Sequence, residues 1–536
     1  MSIKILSVII FSIILINSTV FSQTMYGADQ ARTFSVDAVG ISANPQMVWT
    51  QGDLVSHESE DASNMVIAGD SVYFIRRYRL YCLNMADGAK AFEVAQCHGT
   101  PTIRNDTLWA HRNSLNTISA FNRHTGAEIW SKPCSYVPTS KYHASLYRPS
   151  IVLMGDTLYA NASSYSGSPE GPLYAIRIST KEEIWRYSPA SEFSVCSPTI
   201  GGGRIYLPRF AEGTDANWFW RTGTSCVMAF NRHTGDTLWT YNTAAQRPIK
   251  STMVYHDEKL YYADAHPNGG SCLLHCLNAE TGRELWKIPL SQKEIFYHLL
   301  LYKTKAGTPG DGKYVIILSG KGNLVTAVLA DAPLKLWEKS ADASNCAVEV
   351  LHKIVTKDEG ILYCAVASSN ACAGGLFVAM DANTGDRLWS WQFPGHKSES
   401  WPYLVAAPAI KDGKIAVPTW QNMYLLQGES SEISFTASSI KKQARIITWP
   451  NPFSGRIRIS LIGQVANKNY QLNIFDSQGN LVRTLSSNGN LLSGNNGITW
   501  DGLDNSGFRV NAGIYIYRLM VNQNQIITGK PIFVLR

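Results

Sequence analysis

Ala229-Phe230-Asn231-Arg232-His233-Thr234-Gly235-Asp236-Thr237-Leu238-Trp239 decides the fold. It reads as a strand, a tight turn at Thr234-Gly235, and a second strand ending on tryptophan. Its first seven residues recur unchanged at 120–126, again followed by a tryptophan, Trp130. Such self-similarity marks a repeat architecture. Aligning on it finds seven copies, closing on Phe92, Trp130, Trp185, Trp239, Trp286, Trp337 and Trp389. The steps between these aromatics are 38, 55, 54, 47, 51 and 52 residues, the period of four-stranded propeller blades.

A second hairpin precedes each copy, as in Ser197-Pro198-Thr199-Ile200, Gly201-Gly202-Gly203 and Ile205-Tyr206-Leu207. Two short β-rich runs around a Gly or Asp turn read as a hairpin. There are eight of these, the last being Pro408-Ala409-Ile410 to Ile415-Ala416-Val417. The eighth repeat has Tyr424-Leu425-Leu426 as its third strand and then runs out. Gln46-Met47-Val48-Trp49 has the right aromatic ending and no hairpin of its own. An N-terminal strand completing the last blade closes the ring and leaves no large open edge. The expected fold is all-β: an eight-bladed β-propeller over 42–428, within a domain spanning 23–428.

The repeats resemble the pyrroloquinoline-quinone (PQQ)-type propeller repeat of quinoprotein dehydrogenases and of the outer-membrane assembly lipoprotein BamB. The Leu-Tyr-Ala-like third strand, the Thr-Gly turn and the terminal tryptophan carry the resemblance. It implies that Trp49, Trp130, Trp185, Trp239, Trp286, Trp337 and Trp389 dock neighbouring blades. The motif is structural, so it speaks for fold and not for function.

Residues 429–446 read as a Ser-rich linker, after which composition shifts. Strand-like runs at 456–461, 470–475, 497–500, 513–520 and 532–535, with turns at 476–479 and 504–507, suggest a small β-sandwich over 447–536. This unit resembles the type IX secretion C-terminal sorting domain, related to the flagellar hook-capping immunoglobulin-like domain. Pro450-Asn451-Pro452-Phe453, Ile474-Phe475-Asp476, Trp500-Asp501-Gly502 and Ala512-Gly513-Ile514-Tyr515 carry the match. The resemblance implies recognition by an outer-membrane translocon, then release or attachment at the cell surface. Asp501, Asp504 and Asn505 depart from calcium-loop spacing and read as turn caps.

Lys4, the apolar run 5–16 and Val20-Phe21-Ser22 read as a signal peptide, 1–22, cleaved before Gln23. No later segment is apolar for long enough to span a membrane. The formal net charge of +7 is mild for 536 residues, and no Lys/Arg block marks a nucleic-acid surface. A monomer is expected. Ten cysteines permit disulfides in an exported chain. Cys82 and Cys276 occupy one small repeat position and read as packing residues. Cys97, Cys134, Cys196, Cys346 and Cys372 fall in expected loops and could pair. Cys272 and Cys276 lack the partners of a haem or zinc site.

In a four-stranded blade the first and third turns lie on one face. The second-to-third and blade-to-blade connections lie on the other, and here they hold most of the loop length. Long loops on a rigid scaffold are the usual place for binding. They carry Tyr142, His143, Tyr147 and Arg148, then Trp218, Trp220 and Arg221, then His266, Trp401, Tyr403 and Trp420. Aromatic faces with Arg and His suit a glycan or protein ligand, while packing of loop on loop is the competing reading. Trp218-Phe219-Trp220 is the best candidate, since one strand cannot bury three adjacent rings on one face.

A quinoprotein dehydrogenase would need a calcium-binding carboxylate, a catalytic Asp and quinone-stacking groups, and often has adjacent cysteines. The chain has no adjacent cysteines, no haem motif, and no HExxH, GxSxG or P-loop pattern. The sequence therefore points to a secreted or cell-surface binding module with no catalytic residues, no metal and no cofactor. PQQ with calcium, in a dehydrogenase, is the alternative. A scaffold resembling BamB is a further alternative, disfavoured because no lipid-bearing cysteine follows the leader.

Overall fold

A computed structural model describes residues 29, 34–52, 63–76, 78–112, 117–134, 151–161, 172–188, 192–193, 197–211, 225–244, 247, 249, 251–264, 270–292, 298–320, 323–341, 347–368, 376–394, 407–419, 422–428, 445–449, 453, 455–462, 470–476, 481–487, 498–521, 524–528 and 532–534. Two compact units divide after Glu429. Among the described residues no helix is long and apolar enough to cross a membrane.

In the first unit, each repeat folds into a sheet of consecutive antiparallel strands. Eight such sheets form, over 66–95, 97–133, 152–187, 199–242, 254–289, 300–340, 347–392, and 409–428 completed by 45–51. We call them blades 1 to 8. The opening stretch shows why each forms. The Asn231 side-chain oxygen accepts the N–H groups of His233 (2.8 Å) and Thr234 (3.3 Å), while Gly235 N–H returns to the Asn231 carbonyl (2.9 Å). Asn122 and Asn278 repeat the arrangement. This Asx turn reverses the chain between the third and fourth strands. The register then slips between Ala229 and Phe230, and all eight blades carry a slip at this place. The bulge leaves Leu238 exposed and turns Trp239 toward the next blade.

Each terminal ring meets a small socket. Gly88, Gly126, Gly235, Gly282 and Gly385 all have φ between 73° and 79°. A Cβ on Gly235 would stand 2.6 Å from the Trp185 ring, and one on Gly282 2.7 Å from Trp239. Glycine is thus required twice, for the left-handed backbone and for the ring above it. Lys181, with φ 65°, holds the equivalent turn in blade 3. Gly282→Ala is expected to cost about 1–3 kcal/mol from backbone strain and ring displacement, measured as a shift in urea midpoint at unchanged slope.

A second aromatic reaches the same socket. Tyr159 (3.3 Å) and Trp185 (3.0 Å) both donate to the Arg232 carbonyl, and Tyr206 (3.1 Å) and Trp239 (3.2 Å) both donate to that of Ala279. Blades 3 and 4 thus clamp the successor's turn with one ring from the second strand and one from the fourth, and in blades 1 and 5 the second-strand tyrosine, Tyr73 or Tyr261, donates to the next blade's turn at Arg123 or Ala330. Blade 8 closes on blade 1 through its fourth-strand ring alone: Trp49 packs on Gly88 and donates to the Met85 carbonyl (3.0 Å). Ala407 N–H donates to Asn64 (2.8 Å) and Met65 N–H to the Ala407 carbonyl (3.4 Å). Trp49 arrives on Pro45–Gln51, paired antiparallel with Met423–Gly428, as the sequence implied.

Two further strands lie outside the four-strand plan. Glu192–Phe193 pairs in blade 4, and Ser35–Val36 pairs parallel with the first strand of blade 7. Cys97, expected in a loop, opens the first strand of blade 2, and both it and Cys134 are buried free thiols. Burial pushes each up to about 12, so neither is a reactive thiolate. Cys196, Cys346 and Cys372 lie outside the described residues.

The second unit is an immunoglobulin-like pair of sheets. One contains Arg445–Trp449, Ile457–Ile462 and Ile498–Trp500. The other contains Tyr470–Phe475, Leu481–Ser487, Gly513–Val521 and Asn524–Thr528. The strand from Arg445 begins within the stretch read as linker. Leu481–Ser487 and Asn524–Thr528 were not expected as strands, because their polar composition hides the alternation. Trp500 is fully buried between Phe453 and Tyr515. Asp504 accepts the N–H groups of Ser506 and Phe508 (2.9 Å each), a turn cap as expected.

Candidate functional site

The antiparallel meander sends the first and third turns of every blade to one end. The other connections leave at the opposite end, which we call the long-loop end. Tyr142, His143, Tyr147, Arg148, Trp218, Trp220, Arg221, His266, Trp401, Tyr403 and Trp420 lie outside the described residues. The strands from which their loops depart are described, and they carry chemistry of their own.

Eight Arg, Lys, His or Asp side chains are buried among the described residues: Arg76, His98, His111, Arg209, Asp264, His275, His298 and Lys353. Seven of the eight lie toward the long-loop end, at or near the start of a first or third strand or the close of a second, while Lys353 is the seventh of ten residues in the first strand of blade 7. The opposite end is held by the aromatic clamps and turn glycines. An ionised group taken out of water is costly unless it is paired, so this asymmetry is a property of the face.

The best-defined cluster joins blades 4 and 5. The Asp264 carboxylate accepts a bidentate pair from Arg247 (Nε 2.6 Å, Nη2 2.7 Å), the Leu273 N–H (2.9 Å), and the His275 Nε2 contact (3.0 Å). The other His275 nitrogen faces Glu284 (2.9 Å), which also accepts the Tyr241 hydroxyl of blade 4 (2.8 Å). The imidazole lies flat on Tyr262, with centroids 4.6 Å apart at 3°. Burial pushes the Asp264 carboxyl up, but the donors from His275 and Arg247 outweigh it and hold the group below the usual carboxylate range. Glu284 is held low by the same balance, with His275 and Lys287 as its main donors.

Around the same end, Arg209 sets its guanidinium over the Tyr187 ring of blade 3 at 5.2 Å. Lys353 of blade 7 donates to Ser319 of blade 6 (2.7 Å), and burial brings its amine down to about 8. Burial lowers His111 to about 4, so its ring is neutral. Sequence reasoning singled out none of these residues. His275 carried a signal, since it replaces the aromatic of the Leu-Tyr-Ala pattern. Asp264 carried a weaker one, as a carboxylate at the close of a strand that otherwise reads Leu-Tyr-Tyr-Ala.

What this set can hold follows from its charge. Seven of the eight buried groups are Arg, Lys or His, and the lone carboxylate is already taken by Arg247 and His275. Among the described residues no three His, Cys, Asp or Glu side chains converge as a metal cage. The described donors therefore suit anionic groups such as carboxylates and do not form the oxygen cage of a hard metal cation.

Successive four-stranded sheets of this kind, seam to seam, define a PQQ-repeat β-propeller. The family model described as outer membrane protein assembly factor BamB matches residues 35–165, 116–293 and 270–431, and the chain belongs to that family. The FlgD Ig-like domain model matches residues 453–525. Tetrathionate hydrolase of Acidithiobacillus ferrooxidans is 22% identical over 366 residues, 65% of this chain and 66% of that protein. Lupanine 17-hydroxylase [cytochrome c] of a Pseudomonas species is 24% identical over 141 residues, 25% of this chain and 20% of that protein. This chain thus spans less than two thirds of either relative. Among solved structures, a europium-containing methanol dehydrogenase superposes with a TM-score of 0.54 at 13% identity, covering 76% of this chain and 98% of that one. Quinohemoprotein alcohol dehydrogenase from Comamonas testosteroni gives 0.55 at 12% identity, covering 78% and 82%.

These relatives correct one expectation. The sequence reading assigned no cofactor, on the absence of adjacent cysteines and haem motifs. Yet structures sharing the fold include europium-containing and quinohemoprotein dehydrogenases, and one sequence relative is a cytochrome c-linked hydroxylase. The missing motifs therefore do not argue against a cofactor, and that expectation is withdrawn.

Proposed function

We propose that the long-loop face of this propeller binds an anionic ligand, either an acidic glycan or an acidic protein segment. The observation that carries this reading is the gathering of seven of the eight buried charged or imidazole side chains at that end, six of them Arg or His. Buried Arg side chains held by neighbouring blades are preorganised donors for carboxylate or sulfate, and the loop aromatics at Trp218, Trp220 and Trp401 supply stacking faces. The leader at 1–22 and the sorting-domain motifs over 447–536 support display outside the cell, with a type IX translocon as the export partner.

The second reading is a quinoprotein-type oxidoreductase, favoured by the dehydrogenases that share the fold. The quinone would supply two-electron redox chemistry. Its carboxylates match the cationic character of the face, while its metal would need donors beyond the described set. An array of neutral and acidic glycans, with calorimetry against PQQ plus calcium or a lanthanide, separates the two. The binding reading expects acidic glycans or peptides to be retained with affinity that falls as salt rises. Retention of PQQ with metal, together with dye-linked dehydrogenase turnover, selects the second reading. Failure of every anionic probe removes the first.

A further inference from the structure

Six of the other blade seams show rings that clamp a covalent turn of the following blade, and the seam between blades 7 and 8 is different. Blade 8 takes its fourth strand from the N-terminus, so no turn joins its third strand to its fourth. The segment 34–44 stands in for it. The Ile41 carbonyl accepts both Trp389 Nε1 (2.8 Å) and the Tyr363 hydroxyl (3.1 Å), the pair of donors that elsewhere clamps Arg232 or Ala279. Ile41 N–H donates back to the same hydroxyl (2.5 Å). Gly40 N–H donates to the Glu359 carboxylate (2.6 Å), and Gly413 N–H to the Val39 carbonyl (3.0 Å). A Cβ at Gly40 would collide with the Tyr363 hydroxyl.

Upstream, the same segment enters the axis of the ring. The first strand of each blade is the axial one, and Ser35–Val36 pairs with the axial edge of that strand in blade 7. Val355 N–H donates to Phe34 (3.1 Å) and Lys357 N–H to Val36 (2.9 Å). Phe34 is fully buried, adopts a left-handed φ of 53°, and stacks on His298 of blade 6 with centroids 3.8 Å apart at 9°. His298 in turn meets the Lys353 backbone on both its N–H and its carbonyl, at 3.0 and 2.9 Å.

We infer that residues 34–44 are a strap that shuts the axial mouth beside blades 6 and 7 and opens independently of the eight blades. The strap is held to blade 7 by four backbone-directed bonds and a two-residue ladder, to blade 8 by the Gly413–Val39 bond, and to blade 6 by one stacked ring. It has no turn tying it to the blade it serves, and its first residue sits in a backbone conformation disfavoured for phenylalanine. Releasing it uncovers His298 and the inner edge of blade 7, while the rings that clamp blades 1 to 6 stay in place. The inference rests only on the contacts of residues 34–44 with blades 6, 7 and 8, so it stands whether or not the long-loop face binds an anion.

Native-state hydrogen exchange by mass spectrometry on the full chain tests this, with diethylpyrocarbonate labelling of His298 as a second readout. Amides in peptides covering Ile41, Val355 and Lys357 are expected to exchange at least about tenfold faster than those of Asn231 and Gly235. Tyr363→Phe, which removes the hydroxyl bridging Ile41, is expected to speed the first set and His298 labelling about tenfold again, leaving Asn231 and Gly235 unchanged. Phe34→Ala, outside the blades, should raise His298 labelling with the blades intact. If the strap amides exchange in step with Asn231 in wild type, or if both variants leave His298 labelling unchanged, the strap is part of the cooperative ring and the inference fails.

Discussion

Trp185→Ala is expected to destabilise the propeller by about 3–5 kcal/mol, the range for truncating a buried large aromatic. The ring is 9% exposed, lies over Gly235 of the next blade, and donates to the Arg232 carbonyl at 3.0 Å. Its removal opens a void between blades 3 and 4 and leaves Tyr159 alone on that carbonyl at 3.3 Å. Because the seam runs between two blades, neither can fill the gap by moving alone. Trp185→Phe keeps the stacking surface and loses only the hydrogen bond, so it should cost about 1 kcal/mol. Urea unfolding followed by intrinsic fluorescence measures both. A loss below about 1 kcal/mol for the alanine variant would show that the terminal rings do not hold the seams.

Asp264→Ala is the second large effect. Removing one member of a buried ionic network costs about 3–5 kcal/mol when it strands its partners. Here Arg247 and His275 would lose their shared carboxylate between blades 4 and 5. The pH dependence has a definite sign. The folded-state pKa of Asp264 is depressed, so its contribution is present above the unfolded value of about 4 and is lost as pH falls through the lower folded-state value. Wild type and variant should therefore differ most near pH 7 and converge under strong acid. Unfolding midpoints measured across that range check the point, and a constant difference at every pH would assign the loss to packing alone.

The seam clamps were only half legible beforehand. The terminal tryptophans repeat at a fixed place, so their docking role followed from the resemblance. Tyr159, Tyr206 and Tyr363 occupy an equally regular place in the second strand. A tyrosine in a β-strand is unremarkable by itself, so its shared carbonyl was invisible. The strap was hidden for a related reason. Residues 34–44 match no repeat, and their meaning comes from Ile41 standing where a turn is missing. The long-loop end was identified from strand connectivity, whereas its buried charges were not. Arg209, Asp264 and Lys353 lie far apart in the chain, and strand alternation cannot tell a buried charge from an exposed one.

The chain by itself determined the architecture: a periodic strand–turn–strand pattern with Thr-Gly turns, eight inner hairpins, a last blade lacking a strand, and a composition break before a second small domain. Such features are local, and periodicity together with turn chemistry expresses them directly. The tertiary structure alone decided which groups meet across the seams. It placed Ile41 in the socket of Trp389, the Tyr241 hydroxyl on Glu284, and Phe34 on His298. The first of those meetings depends on closing the ring, which brings residues more than three hundred positions apart within hydrogen-bonding distance.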